Sequence, residues 1–313
     1  MAFIGLDLGA TKVHSALFSN DGEILTTNHG LIRDKKGKEV GLVIQDHINT
    51  LILEAEKLNN PVHSLGVSVP GIYFFRTGKV WAPNIAGWED YPLLNELEIL
   101  LEDRQIKIRI DSDRACYILG EVWKGNAKGC RNAIFMAVGT GIGAGILIDG
   151  QVLRGANDIA GCTGWLALEP PYQEKYNPCG CFEYYASGGG LVRFAKEVLA
   201  QHNDYTGVFR NDPELSANNL IREYGSGDEI ALIVIDRAIE YWGMAVANLV
   251  SLFNPEKIIL GGGVFGEASQ FLDRIYHEAE KWAQPVGFKM FTLEVSAIGP
   301  MAGLYGAGYL AIK

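Results

Sequence analysis

Two segments of the chain share one order of apolar and polar positions. Residues 3–26 read as an apolar run, a turn of small and polar residues, a second apolar run, an Asp-Gly pair and a third apolar run. Residues 132–153 repeat this order around a glycine-rich turn at residues 138–145. Asp-Gly between apolar runs predicts a β-hairpin. The repetition predicts two similar lobes that face each other across a cleft, each presenting its turn to the same ligand.

The rest of the apolar pattern predicts strands that alternate with helices, which indicates an α/β fold. Apolar residues at helical spacing predict helices over residues 40–58, 93–102, 114–123, 191–202, 229–253, 270–283 and 302–311. Short apolar runs predict strands over residues 65–69, 106–110, 257–260 and 291–297. The helix at 229–253 is apolar nearly all round, so we expect it to be buried.

Composition narrows the class of protein. The 313 residues exceed one typical domain, so two lobes fit the length. The net charge of −10 argues against a nucleic-acid partner, although it allows one small anionic ligand. No apolar run is long enough to span a bilayer, and the first residues lack the pattern of a signal peptide. Five cysteines, an odd number, favour reduced thiols, so we expect a cytoplasmic protein.

Both turns contain residue types that suit a phosphate group. In residues 7–12, Gly9 has no side chain to block a ligand, while Thr11 and Lys12 offer a hydroxyl and a cation. A plain hairpin turn explains this segment equally well. The glycines of residues 139–145 loosely match a dinucleotide-binding pattern, but that pattern must open a helix and this turn opens a strand. No P-loop sequence occurs in the chain.

Two carboxylates, Asp111 and Asp113, stand between the predicted strand at 106–110 and the predicted helix at 114–123. Capping of that helix by Asp111 or Ser112 would explain the position without catalysis. An acid held near a phosphate-binding turn nevertheless suggests group-transfer chemistry.

A loop at residues 81–88 carries Asn84 between Trp81 and Trp88. This combination suits a sugar, because an amide binds hydroxyls and aromatic rings pack on the apolar face. A surface loop with one buried tryptophan is an equally good explanation.

These motifs resemble those of the ROK sugar kinases, a family of the actin-like ATPase superfamily. DLGATK (residues 7–12) is similar to the family's first phosphate motif, with Ala10 where a second glycine is usual. VGTGIGAG (138–145) is similar to the second phosphate motif, and LGGGV (260–264) to the adenosine motif. Further family landmarks are LGE (119–121), RGA (154–156), SG (187–188) and GLYGA (303–307). The match covers nearly the whole chain in the family's order.

The resemblance implies a two-lobed actin-like ATPase fold, with duplicated βββαβαβα-type, ribonuclease H-like lobes around an ATP cleft. Residues 1–112 with 299–313 would form the small lobe. Residues 113–298 would form a larger lobe that carries the nucleotide site and a loop-rich insert. The implied activity is ATP-dependent phosphorylation of a sugar hydroxyl with Mg²⁺, and the implied assembly is a homodimer.

The resemblance also implies roles for individual residues. Asp111 corresponds to the general base that takes the proton from the attacking hydroxyl, and Asp113 is not expected to share that role. The chemistry agrees, because phosphoryl transfer needs positioning, charge neutralisation and one proton acceptor. Asp7 is expected to hold Mg²⁺ through water. The expected nucleotide contacts are Asp7, Gly9, Thr11, Lys12, Gly139, Thr140, Gly141, Gly261, Gly262 and Gly263. The expected sugar contacts are Gly71, Asn84, Asp111 and Glu183.

Three positions depart from the family pattern where the sugar would bind. The Asn that normally precedes the base is Ile110, and the Glu and His of the family's Glu-x-Gly-His segment are Cys162 and Trp165. A site built to bind hydroxyls discriminates by the presence of its hydrogen-bonding partners. The less polar pocket therefore predicts a modified sugar, such as a deoxy, amino, anhydro or ketose form, in place of plain glucose.

The family's structural zinc segment is also incomplete, since only its end survives at residues 180–183. A shifted zinc site at Cys162, Cys179 and Cys181 is an alternative. Cys-x-Cys is, however, tighter than the usual ligand spacing and no histidine is nearby in sequence, so unligated thiols and no zinc are expected.

Three other functions compete with that of a kinase. Sugar-responsive repressors of this family carry an N-terminal helix-turn-helix domain, which is not expected here because the phosphate motif begins at residue 7. A catalytically weak sugar-binding sensor is compatible with the altered sugar positions. A phosphatase or hydrolase on the same fold would release phosphate without an acceptor. The sequence leaves open the sugar, the hydroxyl, and ATP or polyphosphate as donor.

Overall fold

Two five-stranded sheets, one for each of two units, form the framework of the computed structural model, which describes residues 1–313. Unit 1 comprises Met1–Lys128, Val152–Ala160 and Pro300–Lys313. Unit 2 comprises Gly129–Gln151 and Gly161–Gly299. None of the helices is both long enough and apolar enough to cross a membrane.

The strands are β1 (Ala2–Leu8), β2 (Lys12–Ser19), β3 (Ile24–Leu31), β4 (Val62–Val69), β5 (Ile72–Phe74), β6 (Lys79–Trp81), β7 (Lys107–Ser112), β8 (Ala133–Val138), β9 (Ile142–Ile148), β10 (Gln151–Val152), β11 (Lys257–Gly261) and β12 (Thr292–Val295). The helices are α1 (Lys38–Lys57), α2 (Leu93–Leu100), α3 (Asp113–Lys124), α4 (Cys181–Ala186), α5 (Gly188–Gln201), α6 (Ala217–Gly225), α7 (Glu229–Phe253), α8 (Leu272–Trp282), α9 (Pro285–Phe288) and α10 (Ala302–Ile312). Short 3-10 turns occupy Thr163–Trp165, Glu174–Tyr176, Gly263–Phe265, Ala268–Phe271 and Gly299–Met301. Each helix and strand predicted from periodicity is present, with ends that differ by a few residues.

The internal repeat is confirmed by the strand order of the two sheets. The first sheet has the spatial order β3-β2-β1-β4-β7 and the second has β10-β9-β8-β11-β12. When the five strands of each sheet are ranked by their order in the chain, both sheets have the spatial order third, second, first, fourth, fifth. In both sheets the first two strands are antiparallel, and the first strand is parallel to the fourth. The similar hydrophobic patterns of residues 3–26 and 132–153 therefore encode the same hairpin twice.

Glycines allow the backbones of α3, α10 and the first sheet to approach closely. A Cβ at Gly66 of β4 would lie 1.9 Å from the carbonyl oxygen of Ala307 in α10. A Cβ at Gly306 of α10 would lie 1.8 Å from the carbonyl oxygen of Cys116 in α3. This packing joins α3 to unit 1, which also includes residues 152–160. The division of the chain thus differs from the predicted boundary between residues 112 and 113.

The core of unit 2 is built around α7, which has the bounds that its apolar pattern predicts. Tyr241 and Trp242 are fully buried, as expected for a helix that is apolar nearly all round. Asp228 caps its first turn, because its Oδ1 accepts hydrogen bonds of 3.0 Å from the amides of Ile230 and Ala231. The helix ends at Asn254, which adopts a left-handed conformation with φ 43°.

Candidate active site

Three polar residues of unit 1 lie in register at the carboxyl ends of adjacent parallel strands. Asp7 of β1 pairs with Ser68 of β4, and Ser68 pairs with Asp111 of β7. The Ser68 hydroxyl donates a 2.6 Å hydrogen bond to Oδ1 of Asp7. Ligands of open α/β sheets bind just beyond the carboxyl ends of the strands. The register thus brings the expected base and the expected magnesium ligand to the carboxyl ends of strands in one sheet.

Asp111 is a buried carboxylate, only 2% exposed, and both its oxygens accept hydrogen bonds. The backbone amide of Ser112 donates to Oδ1 at 2.9 Å. Arg154 donates to Oδ2 twice, from Nη2 at 2.5 Å and from Nε at 3.2 Å. Burial raises the pKa of Asp111, and the charge and hydrogen bonds of Arg154 oppose that rise.

Helix capping does not account for Asp111. The N-cap of α3 is Ser112, whose hydroxyl accepts a 3.3 Å hydrogen bond from the amide of Ala115. Of the two capping residues considered from the sequence, the structure therefore assigns Ser112. Asp111 therefore does not cap the helix, and its carboxylate is held by Arg154.

Arg154 was recognised in the sequence only as part of a family landmark, and its pairing with Asp111 was missed. Its guanidinium carbon lies 4.8 Å from the centroid of the Phe75 ring. The amide of Phe75 in turn donates a 3.1 Å hydrogen bond to Oδ2 of Asp158. The Phe75 ring thus packs on the guanidinium that holds the base, and Asp158 in turn holds the backbone of Phe75.

Asp113 is electrostatically coupled to Asp7. Burial raises the pKa of Asp113 to about 6, and the negative charge of Asp7 contributes to this rise. The amide of Arg114 donates to Oδ1 of Asp113 at 2.8 Å, and the Tyr117 hydroxyl is a further hydrogen-bonding partner. Burial likewise raises the pKa of Asp7. The charge of Asp7 thus disfavours ionisation of Asp113, and a bound cation would relieve that effect.

The residues at Asp7 fit a hydrated Mg²⁺ better than an all-protein metal site. No group of three or more His, Cys, Asp or Glu side chains in the chain is arranged to hold a metal ion. Mg²⁺ usually keeps several waters and uses one or two carboxylates together with substrate phosphates. Asp7, with Asp113 as its charged neighbour, provides that arrangement.

The turn after Asp7 is closed by a 2.8 Å hydrogen bond from the amide of Gly9 to the carbonyl oxygen of Lys12. A Cβ at Gly9 would lie 3.3 Å from that same oxygen, which is closer than most side-chain contacts. Thr11 and Lys12 are exposed, so their hydroxyl and ammonium groups can reach a ligand. The structure is therefore compatible with the predicted phosphate-binding role of this turn.

Unit 2 contains a cavity of about 370 Å³ at its glycine-rich turns. Its lining includes Gly139, Thr140 and Gly263 from the predicted nucleotide contacts. It also includes Gly188 and Gly189 at the start of α5 and Ser216, the N-cap of α6. Helix N-termini bind phosphate, because their free amides and dipoles favour an anion.

The glycines at the start of α5 were not among the predicted contacts. The amide of Gly188 donates a 2.8 Å hydrogen bond to the carbonyl oxygen of Gly139, which joins α5 to the glycine-rich turn. The Ser187 hydroxyl caps the helix by accepting a 2.9 Å bond from Gly190. The run of one serine and three glycines was the available signal, since a capping residue followed by small residues exposes a helix N-terminus.

The other predicted glycines shape the turns without lining this cavity. A Cβ at Gly261 would lie 2.2 Å from the Phe135 ring. Gly262 has φ +89°, and a Cβ there would meet the carbonyl oxygen of Val138 at 2.5 Å. These two positions need glycine for backbone packing, whatever they contact in a complex.

Glu183 connects the glycine-rich turn with the 3-10 turn Thr163–Trp165. Its Oε2 accepts a 2.7 Å hydrogen bond from the amide of Ile142. A Cβ at Gly141 or at Gly164 would lie 2.8 Å from this same oxygen. Burial raises the pKa of Glu183, and the hydrogen bond from Ile142 opposes the rise. Glu183, which was predicted as a sugar contact, thus holds the glycine-rich turn of unit 2 in place.

The other predicted sugar residues differ in their surroundings. Gly71 has φ +98° and packs so tightly that a Cβ would lie 2.2 Å from the carbonyl oxygen of Trp81. Asn84 is exposed. Trp88 is fully buried and donates a 3.0 Å hydrogen bond to the carbonyl oxygen of Gly37, so it supports the loop and is closed to a ligand. Trp81, by contrast, is 40% exposed.

The residues that replace the family's polar sugar contacts differ in their exposure to solvent. Ile110 is 3% exposed and belongs to the apolar core of unit 1. Trp165 is 58% exposed at the end of the 3-10 turn. Cys162, Cys179 and Cys181 form no disulfide, and only Cys181 of the three is buried.

The comparison with known protein families shows the family to which this chain belongs. A model described as the ROK family matches residues 3–313. The chain belongs to the ROK family. Its structure is of the α/β class and has the actin-like ATPase fold of ROK hexokinases.

Several relatives are sugar kinases. A glucokinase of Halalkalibacterium halodurans is 31% identical, and the match covers 98% of this chain and 94% of that protein. The crystal structure of a ROK glucokinase from Streptomyces griseus in complex with glucose and AMPPNP aligns with a TM-score of 0.78 at 26% identity, over 100% of this chain and 99% of that chain. Sugar phosphorylation is thus supported at the level of the family.

The ROK family also contains repressors. A xylose repressor of Caldicellulosiruptor bescii is 29% identical, and the match covers 100% of this chain and 78% of that protein. Membership of the family by itself therefore leaves two classes of function, and the residues of the site have to discriminate between them.

Proposed function

We propose that this ROK protein transfers the γ-phosphoryl group of ATP to a hydroxyl of a monosaccharide or sugar derivative, with Asp111 as general base. The observation that carries the proposal is the position of Asp111. It is a buried carboxylate at the carboxyl end of β7, in register with Asp7 and fixed by Arg154. An ionised carboxylate held in one orientation is the group that phosphoryl transfer requires to accept the proton of the attacking hydroxyl.

Turns within each unit carry the proposed phosphate contacts. Gly139, Thr140, Gly188, Gly189 and Gly263 of the unit 2 cavity contact the nucleotide, with the N-termini of α5 and α6 directed at its phosphates. Gly9, Thr11 and Lys12 of unit 1 bind phosphate oxygens through an amide, a hydroxyl and an ammonium group. Mg²⁺, held through water by Asp7, neutralises negative charge on the phosphates when it is bound.

The acceptor step needs Asp111 in its ionised form. The sugar hydroxyl oxygen attacks the γ-phosphorus, its proton passes to the Asp111 carboxylate, and ADP leaves with the electrons of the broken P–O bond. Arg154 supports this by stabilising the carboxylate against the effect of burial. Arg154 and the amide of Ser112 together donate three hydrogen bonds to Asp111, and an ionised carboxylate can accept about four, so one acceptor position remains for the sugar hydroxyl.

We further propose that the acceptor is a modified sugar and not plain glucose. The family's Glu and His correspond here to Cys162 and Trp165, which cannot provide the same hydrogen bonds to hydroxyls. Ile110 packs in the core and also offers no polar group. Deoxy, amino, anhydro and ketose sugars present fewer or differently placed hydroxyls to these positions.

An acceptor panel tests the proposal. ADP release is measured with Mg·ATP, and in parallel with polyphosphate as donor, against glucose and deoxy-, amino-, anhydro- and keto-hexoses. We expect phosphorylation of at least one modified sugar with a higher kcat/KM than glucose. Asp111→Asn should lower kcat by about 10²–10⁴-fold while ATP binding persists. Glucose as the best acceptor would refute the substrate class, and full activity of Asp111→Asn would refute the base.

A sugar-binding sensor is the second candidate, and the altered positions Cys162 and Trp165 are the observation that favours it. It predicts sugar binding by calorimetry without ADP release for any acceptor. Phosphate release in the absence of every sugar would instead indicate a hydrolase.

A further inference from the structure

Ser68 occupies the middle of the row of polar residues at the carboxyl ends of β1, β4 and β7. Its register partners are Asp7 on one side and Asp111 on the other. The residue is fully buried, and its hydroxyl donates the 2.6 Å hydrogen bond to Oδ1 of Asp7. This length is typical of a hydroxyl that donates to an ionised carboxylate, a contact about twice as strong as a neutral hydrogen bond.

Two contacts from different elements define the orientation of the Asp7 carboxylate. Ser68 binds Oδ1 from β4, which is itself fixed because it pairs with β1 on one side and β7 on the other. The backbone of Gly303 in α10 packs against the same carboxylate, since an added Cβ would lie 2.4 Å from Oδ2 and 2.6 Å from Oδ1. The acid is therefore held in one geometry by the protein before any ligand binds.

A second serine of the same strand shows what Ser68 adds. Ser64 lies four residues earlier in β4, so its side chain is on the same face of the sheet. It is also buried, at 1% exposure, but its Oγ has no hydrogen-bond partner. The two serines share residue type, strand, face and burial, and they differ in the carboxylate that only Ser68 contacts.

The position of Ser68 relative to the expected cation is that of a group that supports a metal ligand. Asp7 is the acid proposed to hold Mg²⁺ through water, and Mg²⁺ demands nearly ideal octahedral geometry of its ligands and waters. Residues that hydrogen-bond to such a ligand orient it, and their loss typically lowers metal affinity by about 10–100-fold. A carboxylate that can rotate would lose this preorganised geometry.

We propose that Ser68 is a positioning residue of the Mg²⁺ site, because its hydroxyl holds Asp7 in the orientation that binds the hydrated cation. The inference rests on the proposed kinase function and on Asp7 as its magnesium ligand. Ser68 acts through Asp7 and makes no contact of its own with the phosphates.

Binding of Mn²⁺ in the presence of ADP, followed by electron paramagnetic resonance, tests this role without an acceptor sugar. Mn²⁺ is the probe because it binds the same oxygen ligands as Mg²⁺. Ser68→Ala should raise the Kd for Mn²⁺ by about 10–100-fold. Ser64→Ala is the matched control: it removes one buried oxygen from the same strand but no hydrogen bond, so its Kd should equal that of wild type.

Steady-state kinetics separate positioning from a general structural role. Ser68→Ala should raise the Mg²⁺ concentration for half-maximal activity and leave kcat at saturating Mg²⁺ close to that of Ser64→Ala. An equal loss of kcat at every Mg²⁺ concentration would overturn the role of Ser68, because the defect would then lie outside metal binding.

The Mn²⁺ titration also distinguishes failure of this inference from failure of the proposed function. Normal Mn²⁺ binding by wild type with the same Kd in Ser68→Ala would overturn the role of Ser68 alone. Absence of Mn²⁺ binding by wild type would overturn the metal site and the role of Ser68 with it. Weakened binding in Ser68→Ala, together with no turnover of any sugar, would retain Ser68 as a positioning residue and overturn the kinase function.

Discussion

Arg154 donates two hydrogen bonds to Oδ2 of Asp111 in unit 1, although the two residues are 43 positions apart in sequence. The pair is a buried base and a partly exposed arginine, with side-chain exposures of 4% and 34%. Removal of a carboxylate from water favours its neutral form, which cannot accept a proton. The arginine opposes this effect, so the ionisation of the base depends on its partner.

The first prediction concerns the pH dependence of activity in Arg154→Gln. Burial raises the pKa of Asp111 and Arg154 opposes the rise, so loss of the cation should raise that pKa further. The base works only above its pKa, so the acidic limb of kcat/KM should move to higher pH. Activity should then fall more at the acidic end of the pH range than at the alkaline end.

A pH profile of kcat/KM from pH 5 to 9 measures this shift. Arg104→Gln is the matched control, because Arg104 pairs with Glu56 on the surface of the same unit. An acidic limb that stays in place in Arg154→Gln would show that the arginine has no influence on the base.

The second prediction concerns Asp113 and Mg²⁺. The folded pKa of Asp113 is raised to about 6, above its ordinary value, so its ionisation opposes folding. The stabilising effect of the protonated form is complete at low pH and is lost as pH rises through about 6. Asp113→Asn should therefore raise Tm by a few degrees at pH 8 and by less at pH 5.

Mg²⁺ should stabilise the two proteins to different extents. If the cation relieves the repulsion of Asp7 and Asp113, it should stabilise wild type at pH 8 more than it stabilises Asp113→Asn. Thermal melting with and without Mg²⁺, in the absence of nucleotide, measures the difference. Equal stabilisation of both proteins would mean that Asp113 does not contribute to the cation site.

The third prediction concerns Gly303 at the start of α10. A Cβ at this position would lie 2.4 Å from Oδ2 of Asp7, so Gly303→Ala must displace either the helix or the carboxylate. We expect the free energy of unfolding to fall by about 1–3 kcal/mol. The Mg²⁺ concentration for half-maximal activity should rise as well. Gly225→Ala is the control: Gly225 ends α6 and has nothing within 4 Å of an added Cβ. It should be neutral or slightly stabilising. A Gly303→Ala protein with the stability of Gly225→Ala would contradict the close approach.

The elements of the fold could be predicted because their determinants are local. The Asp-Gly pairs and apolar runs of residues 3–26 and 132–153 specify the same hairpin twice, and the sheets have the same order. The helix at Glu229–Phe253 has the bounds that its apolar pattern indicates. The placement of α3 differed from the predicted boundary at residue 112, because it depends on glycine contacts between distant segments, such as Gly306 against Cys116.

The site was less predictable, because it also depends on contacts between segments that are distant in sequence. The register of β1, β4 and β7 brings Asp7, Ser68 and Asp111 together, and hydrophobic periodicity does not specify register between distant strands. The pairing of Arg154 with Asp111 likewise depends on tertiary structure. The side chains at Trp81 and Trp88 look alike in sequence, but only the structure shows that Trp88 is buried.

The last prediction separates two roles of Glu183. If its main task is to hold the glycine-rich turn, Glu183→Ala leaves the amide of Ile142 without its acceptor, which costs about 1–3 kcal/mol. The looser turn should raise KM for ATP more than KM for the sugar. Glu183→Gln should largely restore KM for ATP, because its side-chain oxygen still accepts from Ile142. A selective rise of KM for the sugar in both variants would instead support the direct sugar contact and contradict the structural task.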